Sequence, residues 1–311
     1  PQDLLHGARP GETILFGRTR HQVTTIEQKA YAKLNLTLDV LGKRPDGYHD
    51  IQSVMQLISL CDDVSLDVGT GEDWKLECDQ EGIPTDGTNL AWKAAGLFYQ
   101  NLGKDPQGIT IRLTKRIPAQ AGLGGGSADA AAVLLALNRH EGSPFSQEEL
   151  LKLAEKLGSD VPFLLSGGTK MAKGRGEVLS ALPAMPQCFY LVVKPDFSVS
   201  TPALYQAIDQ APEVYHPQTN AMVQALQKGD LLEVAGYLGN SFEPLVAAEH
   251  GEILAIRTVM EDCGALGSAM TGSGSAVFGI FDAFDMAAMA SMQLMERYQT
   301  FLARNIEEGE V

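Results

Sequence analysis

The chain has 311 residues, with 24 Lys and Arg against 39 Asp and Glu for a net charge of −15, and 44% of the residues are hydrophobic. That length suits one large or two medium domains, and the apolar content excludes a wholly disordered chain. So acidic a chain repels polyanions, which excludes nucleic acid and anionic membrane as expected partners and leaves any anionic ligand to be met by local donors.

Residues 1–22 show no sustained period and read as a loosely ordered extension; they lack the apolar core and cleavage site of a signal peptide. From Val23 the runs VTTIEQKAYA, LNLTLDV, DIQSVMQLISL and DVSLDV are β-rich or alternating, broken by the turn cluster from Gly42 to Gly47. Thr88 and Asn89 can cap a helix that runs to about Leu102. Residues 109–117 (ITIRLTKRI) alternate as a half-buried strand does. A glycine-rich stretch, Pro118 to Ser127, then leads into the helical run ADAAAVLLALNRH. Ser146 and Glu149 have capping-box spacing at the start of SQEELLKLAEKLG. Short strands are expected at GGTKMAK and EVLSAL, and the proline-containing LPAMP (182–186) marks the expected seam between domains over 23–184 and 185–311. CFYLVVK restarts the chain as a strand, followed by helices near 202–209, 218–227, 230–238 and 250–262, strands in GALGSAMTG and SAVFGIF, and a last amphipathic helix over about 284–302. Strands precede helices in each half without regular βαβ alternation, so the expected class is α+β in two domains. No apolar run reaches the roughly 18–20 residues of a membrane span. The four cysteines and six histidines have no metal-ligand spacing and fit reduced thiols in a cytoplasmic protein.

The loop from Pro118 to Ser127 holds Gly122, Gly124, Gly125 and Gly126 between a strand and a strong helix. A helix N-terminus offers unpaired N–H groups and the positive end of the macrodipole, and glycines remove the Cβ atoms that keep phosphate oxygens off the backbone. Ser127 can cap the helix, or bind a phosphate or metal through its hydroxyl. The competing reading is a plain flexible turn before an alanine-rich core helix. Neither GxxxxGK[ST] nor GxGxxG is present, since the third glycine of the latter falls on Ser127. A second cluster, MTGSGSAVFG from Met270, reads either as a glycine hairpin or as a loop that sets Gly272 and Gly274 against a ligand phosphate or sugar. Lys33 interrupts an apolar strand, and Asp160 follows a helix ending at Gly158. Separately they read as a lysine snorkelling to solvent and an Asx turn or cap. Together they suit phosphoryl transfer to an alcohol, where a carboxylate takes the hydroxyl proton and a cation keeps it ionised.

PAQAGLGGGSADAA resembles the second motif of the GHMP small-molecule kinases, and KAYAKLNLTLDVLGKRPDGYHDIQSV resembles the first motif of one branch of that family. GSDVPFLLSGGTKMAKGRGE and MTGSGSAVFGIF follow in order, so the resemblance spans roughly residues 26–282. It implies a ribosomal protein S5 domain 2-like N-terminal domain, a ferredoxin-like C-terminal domain and an active site in the cleft between them. It implies transfer of the ATP γ-phosphoryl to a hydroxyl of a cytidine diphospho-alcohol, in the non-mevalonate route to isoprenoid precursors. Asp160 and Lys33 fall on the catalytic pair, and Pro118, Ala119, Gly122, Leu123, Gly124, Gly125, Gly126 and Ser127 on the ATP loop. Asn35, Tyr48, His49, Thr201, Tyr205, Gly272, Ser273 and Gly274 fall on the substrate side, Tyr48 and His49 where cytosine binds. Mg²⁺ is implied with ATP. The glutamate with which several members hold it has no match here; Ser127 and Asp129 lie nearby, and the metal ligands stay open. The alternatives are a GHMP kinase for mevalonate, homoserine or a sugar, and a non-catalytic sensor, which has no need of both Lys33 and Asp160.

Overall fold

A computed structural model describes residues 23–71 and 73–310; the expected extension over 1–22 lies outside the described residues. Two twenty-residue strands, β1 (Thr24–Lys43) and β2 (His49–Val68), form one antiparallel hairpin whose register runs from Thr24 opposite Val68 to Lys43 opposite His49. The β-rich runs read separately from the sequence are thus two long strands, and the Gly42–Gly47 cluster lies at their turn. β3 (Lys75–Cys78) and β4 (Ile109–Thr114) extend the sheet from the far end of β2, while β5 (Thr169–Gly174) and β6 (Val178–Ala181) extend it near the turn.

Four helices accompany this sheet. Asn89 caps α1 (Leu90–Leu102) by accepting from the Ala91 amide, and Gly103 closes it in the left-handed region that glycine tolerates. α2 (Gly125–His140) starts inside the glycine loop, three residues before the apolar run suggests, and buries Ala128, Ala130, Ala131, Val133 and Leu134. Small side chains let it lie close to both β1 and α1. α3 (Gln147–Leu157) carries the complete capping box of Ser146 and Glu149. α4 (Val161–Ser166) is a single short helix with a proline in its first turn.

The chain crosses to a second sheet through 182–186. There β7 (Phe189–Lys194) is followed by α5 (Thr201–Gln210), α6 (Thr219–Lys228), α7 (Leu231–Gly236), β8 (Gly239–Asn240), α8 (Glu243–Glu249), α9 (Glu252–Asp262), β9 (Gly267–Met270), β10 (Val277–Phe281), α10 (Phe284–Leu294) and β11 (Gln299–Arg304). The sheet order is β11-β7-β10-β9, antiparallel throughout, which is the ferredoxin-like arrangement. β8 leaves this half to pair in parallel with Thr37 and Leu38 of β1.

One expected element is corrected. The helix over 284–302 ends at Leu294, and Gln299–Arg304 is an edge strand on β7. Met292, Met295, Tyr298 and Leu302 keep a helical spacing, but Met292 and Met295 are exposed and bury little apolar surface. The open hydrogen-bonding edge of β7 outweighs that weak period. The hydrophobic core does not divide with the sheets. One buried cluster joins Leu34, Leu57 and Leu134 to Tyr190, Phe278 and Ile280, and another joins Leu38 and Val40 of β1 to Leu191, Ile256 and Phe281.

Candidate functional site

A cavity of about 670 Å³ opens between the two halves, lined by residues from β1, β2, the glycine loop, α5 and the loop between β9 and β10. Lys33 and Asn35 reach it from β1, whose register against β2 breaks between Tyr31 and Lys33 and again between Asn35 and Thr37. Such bulges re-aim side chains, which explains how a lysine can stand in an apolar strand. Lys33 is buried, and its ammonium donates to Asn35 Oδ1 at 2.5 Å. Burial pulls its pKa down, and the negative charge of Asp160 pulls it back up. Asn35 in turn donates through Nδ2 to Ser53 Oγ at 2.8 Å, and its amide donates to Thr271 Oγ1 at 3.0 Å.

Asp160 lines the same cavity. It occupies the N-cap position of α4 with helical backbone angles, and its side chain caps nothing. The ordinary capping explanation of this aspartate therefore fails, and the carboxylate is left to the cavity.

The two glycine loops meet backbone to backbone. A Cβ on Gly122, whose φ is +75°, would stand 2.2 Å from the Thr271 carbonyl oxygen, and one on Gly272 would stand 2.8 Å from the Gly122 oxygen. Further bonds clamp the loop: the Lys33 amide donates to the Leu123 carbonyl at 3.1 Å, and the Ala276 amide to the Ala121 carbonyl at 3.2 Å. These glycines are demanded by the protein's own close approach. Gly126 is different: it is exposed in the first turn of α2, and a Cβ there would meet nothing within 4 Å. Gly124, Gly125, Gly126 and Ser127 thus form a helix N-terminus with free space at Gly126, of the kind that binds phosphate.

The structure brings Lys33, Asn35, Tyr48, His49, Gly122, Gly124, Ser127, Asp160, Thr201, Tyr205, Gly272 and Ser273 to one cavity. Across it, Thr201 Oγ1 and Ser273 Oγ are 2.8 Å apart. Pro118 and Ala119 instead line a second depression of about 800 Å³ together with Lys115 and Arg116. The Leu123 side chain is buried in the core, and Gly274 lies against Met270, where a Cβ would stand 2.7 Å from the sulfur. Tyr48 is well exposed, with the Arg175 guanidinium 5.0 Å from its ring centre. His49 is buried, stacked on Tyr205 at 4.6 Å, and its Nε2 is 2.7 Å from Asp209 Oδ1.

Asp129 is left open in the sequence, beside Ser127, as a residue near the expected Mg²⁺. It is buried, and Lys115 donates to it at 2.6 Å while also pairing with Asp62. Burial raises its pKa to about 7, against the pull of Lys115. One oxygen of this carboxylate is held by Lys115, and the other, Oδ1, is buried without a hydrogen-bond partner. Among the described residues no group of three His, Cys, Asp or Glu could hold a metal ion, and Ser127 lines the cavity where a phosphate-bound cation would lie. Arg175, Lys43 and Asp209 also line the cavity and escaped the sequence reading. Lys43 and Arg175 lie inside the motif stretches quoted from the sequence without being singled out there, and Asp209 follows Tyr205 by four residues and so lies on the same helical face.

Residues 89–168 match the family described as GHMP kinases N terminal domain, and residues 222–292 match GHMP kinases C terminal. The chain belongs to the GHMP kinase family and is a small-molecule kinase. Its similarity is concentrated in one branch. It is 44% identical over 253 residues (81% of this chain, 87% of the relative) to the 4-diphosphocytidyl-2-C-methyl-D-erythritol kinase of Caldicellulosiruptor saccharolyticus. It is 41% identical over 285 residues (91% and 97%) to the enzyme of that name from Thermoanaerobacter pseudethanolicus. A crystal structure of 4-(cytidine 5'-diphospho)-2C-methyl-D-erythritol kinase superposes with a TM-score of 0.76 at 35% identity, covering 90% of this chain and 98% of that one. A homoserine kinase from Cytophaga hutchinsonii shares the fold at a TM-score of 0.71 and 19% identity, covering 94% of this chain and 96% of that one.

Proposed function

We propose that the chain transfers the γ-phosphoryl group of ATP to the 2-hydroxyl of 4-diphosphocytidyl-2-C-methyl-D-erythritol, a step in the making of isoprenoid precursors in the cytoplasm. The observation that carries this reading is the meeting of Lys33, Asp160 and the N-terminus of α2 in one cavity that Tyr48, His49 and Tyr205 also line. Phosphoryl transfer asks a protein for positioning and electrostatics more than for covalent chemistry. In this reading the amides of Gly124–Ser127 hold the ATP phosphates, and Asp160 accepts the proton of the acceptor hydroxyl. Lys33, fixed by Asn35, faces the developing charge. Mg²⁺ bound with ATP would supply charge neutralisation at the phosphates; the Ser127 hydroxyl, which lines the cavity, is the side chain that would share it, while Asp129 is paired with Lys115. Tyr48 offers a face for the cytosine ring, with His49 at the base edge.

An ADP-release assay with four acceptors tests the reading. The cytidine diphospho-alcohol should support turnover, and mevalonate, homoserine and galactose should not. Activity confined to one of the latter three would make the chain a different GHMP kinase.

A further inference from the structure

Two features of α5 face the β1–β2 hairpin together. Tyr205 and Asp209, four residues apart on one face of the helix, both engage His49: Tyr205 stacks on the ring at 4.6 Å with an interplanar angle of 21°, and Asp209 Oδ1 lies 2.7 Å from Nε2. The other oxygen of Asp209 pairs with Lys43 at 2.5 Å. Lys43 and His49 are register partners that close the hairpin next to Tyr48. One carboxylate therefore grips both strands of the hairpin from the opposite half of the molecule, and the His49 side chain is only 5% exposed. The Lys43 bond, and after it the His49 bond, hold the Asp209 carboxyl below its usual range, so it stays ionised at neutral pH.

We propose that Asp209 is a positioning residue that sets the base selectivity of this kinase by fixing the orientation and tautomer of His49. The inference rests on the functional reading above. An ionised carboxylate only accepts hydrogen bonds, so the Nε2 proton is committed to Asp209, and in the neutral imidazole Nδ1 is the acceptor. An acceptor at the edge of a base site favours a pyrimidine that presents an amino group, as cytosine does, over one that presents a carbonyl at the same place, as uracil does. The rejected base leaves two acceptors facing each other, a mismatch that a site built for a donor penalises. Asp209 needs no contact with the ligand to do this.

The test uses the full chain at pH 8. Asp209→Ala should raise KM for the cytidine substrate by about tenfold or more, with kcat and the KM for ATP nearly unchanged. The preference for the cytidine substrate over its uridine analogue should fall by a similar factor. ¹⁵N NMR of the histidine side chains should show His49 as the Nε2–H tautomer in the wild type and as a mixture in Asp209→Ala. Asp209→Asn keeps the volume and can accept or donate, so it should retain the melting temperature and lose part of the selectivity. A wild-type His49 in the Nδ1–H form overturns the proposal, and so does an unchanged cytidine-to-uridine ratio in a folded Asp209→Ala. If the wild type itself fails to turn over the cytidine substrate, the functional reading falls first, and the two failures are separable.

Discussion

At the scale of single residues, the site separates glycines that shape the protein from glycines that leave room for a ligand. Gly124 looks from the sequence like the natural place to block phosphate binding. Its φ of +75° and the 3.3 Å approach of its would-be Cβ to Leu164 and to the Lys33 side chain make it a poor probe. Gly126 faces open space. Gly126→Ala should leave the melting temperature level or slightly higher and weaken an ATP analogue about tenfold or more by displacing one charge-assisted hydrogen bond, measured by titration calorimetry. Unchanged affinity would put the phosphates elsewhere. Asp160→Asn should lower kcat by about 10²–10⁴ while moving KM little, as expected for a general base. Lys33→Met should also lower kcat, yet yield a fold at least as stable, because it removes a buried ammonium whose charged form burial disfavours. A thermal melt beside the rate measurement checks both halves of that statement.

Among elements, α2 is tied to the first sheet by charge as well as by apolar packing. Lys115, just past β4, pairs with Asp62 of β2 and Asp129 of α2, and the Asp62 carboxylate also accepts from the amides of Arg116 and Ile117. The folded-state pKa of Asp129, about 7, lies above the value near 4 of an exposed aspartate. Between those values the folded protein holds a proton that the unfolded chain has released, so this group's contribution to stability falls as pH rises through that window. Asp129→Asn should match the wild type near pH 5 and exceed it at pH 8 in urea melts. Lys115→Met leaves two buried carboxylates facing each other and should cost about 3–5 kcal/mol at pH 8. Little of this arrangement was legible in the sequence, because a lysine after a strand and an aspartate in a first helical turn each have a sufficient local explanation. Local chemistry did reveal what is local: the capping box at Ser146, the Asn89 cap, and the strand-loop-helix at Pro118 to Ser127. What escaped depends on distant partners, as with β11, which pairs with β7 across about a hundred residues of chain, and Asp209, whose meaning comes from a hairpin far upstream.

For the whole molecule, the two sheets share buried clusters and β8 from the second half pairs with β1 of the first. Calorimetry should accordingly show one merged unfolding transition; two well-separated transitions would mean that the halves hold their cores independently. Gly122→Ala should be severely destabilising, because its Cβ meets the backbone of Thr271, which cannot rotate away as a side chain would. The same contact has a consequence for the energetics of ligand capture. Gly122 and Gly272 press against each other, Lys33 and Ala276 hold the loop from its sides, and Asn240 donates to the carbonyls of Met270 and Gly272. On the proposed reading, the receptacle for the reacting groups is therefore formed when the chain folds and not when its ligands arrive. Association with an ATP analogue should show a heat-capacity change no more negative than the surface buried by the nucleotide itself accounts for, with none of the large excess that marks segments ordering on binding.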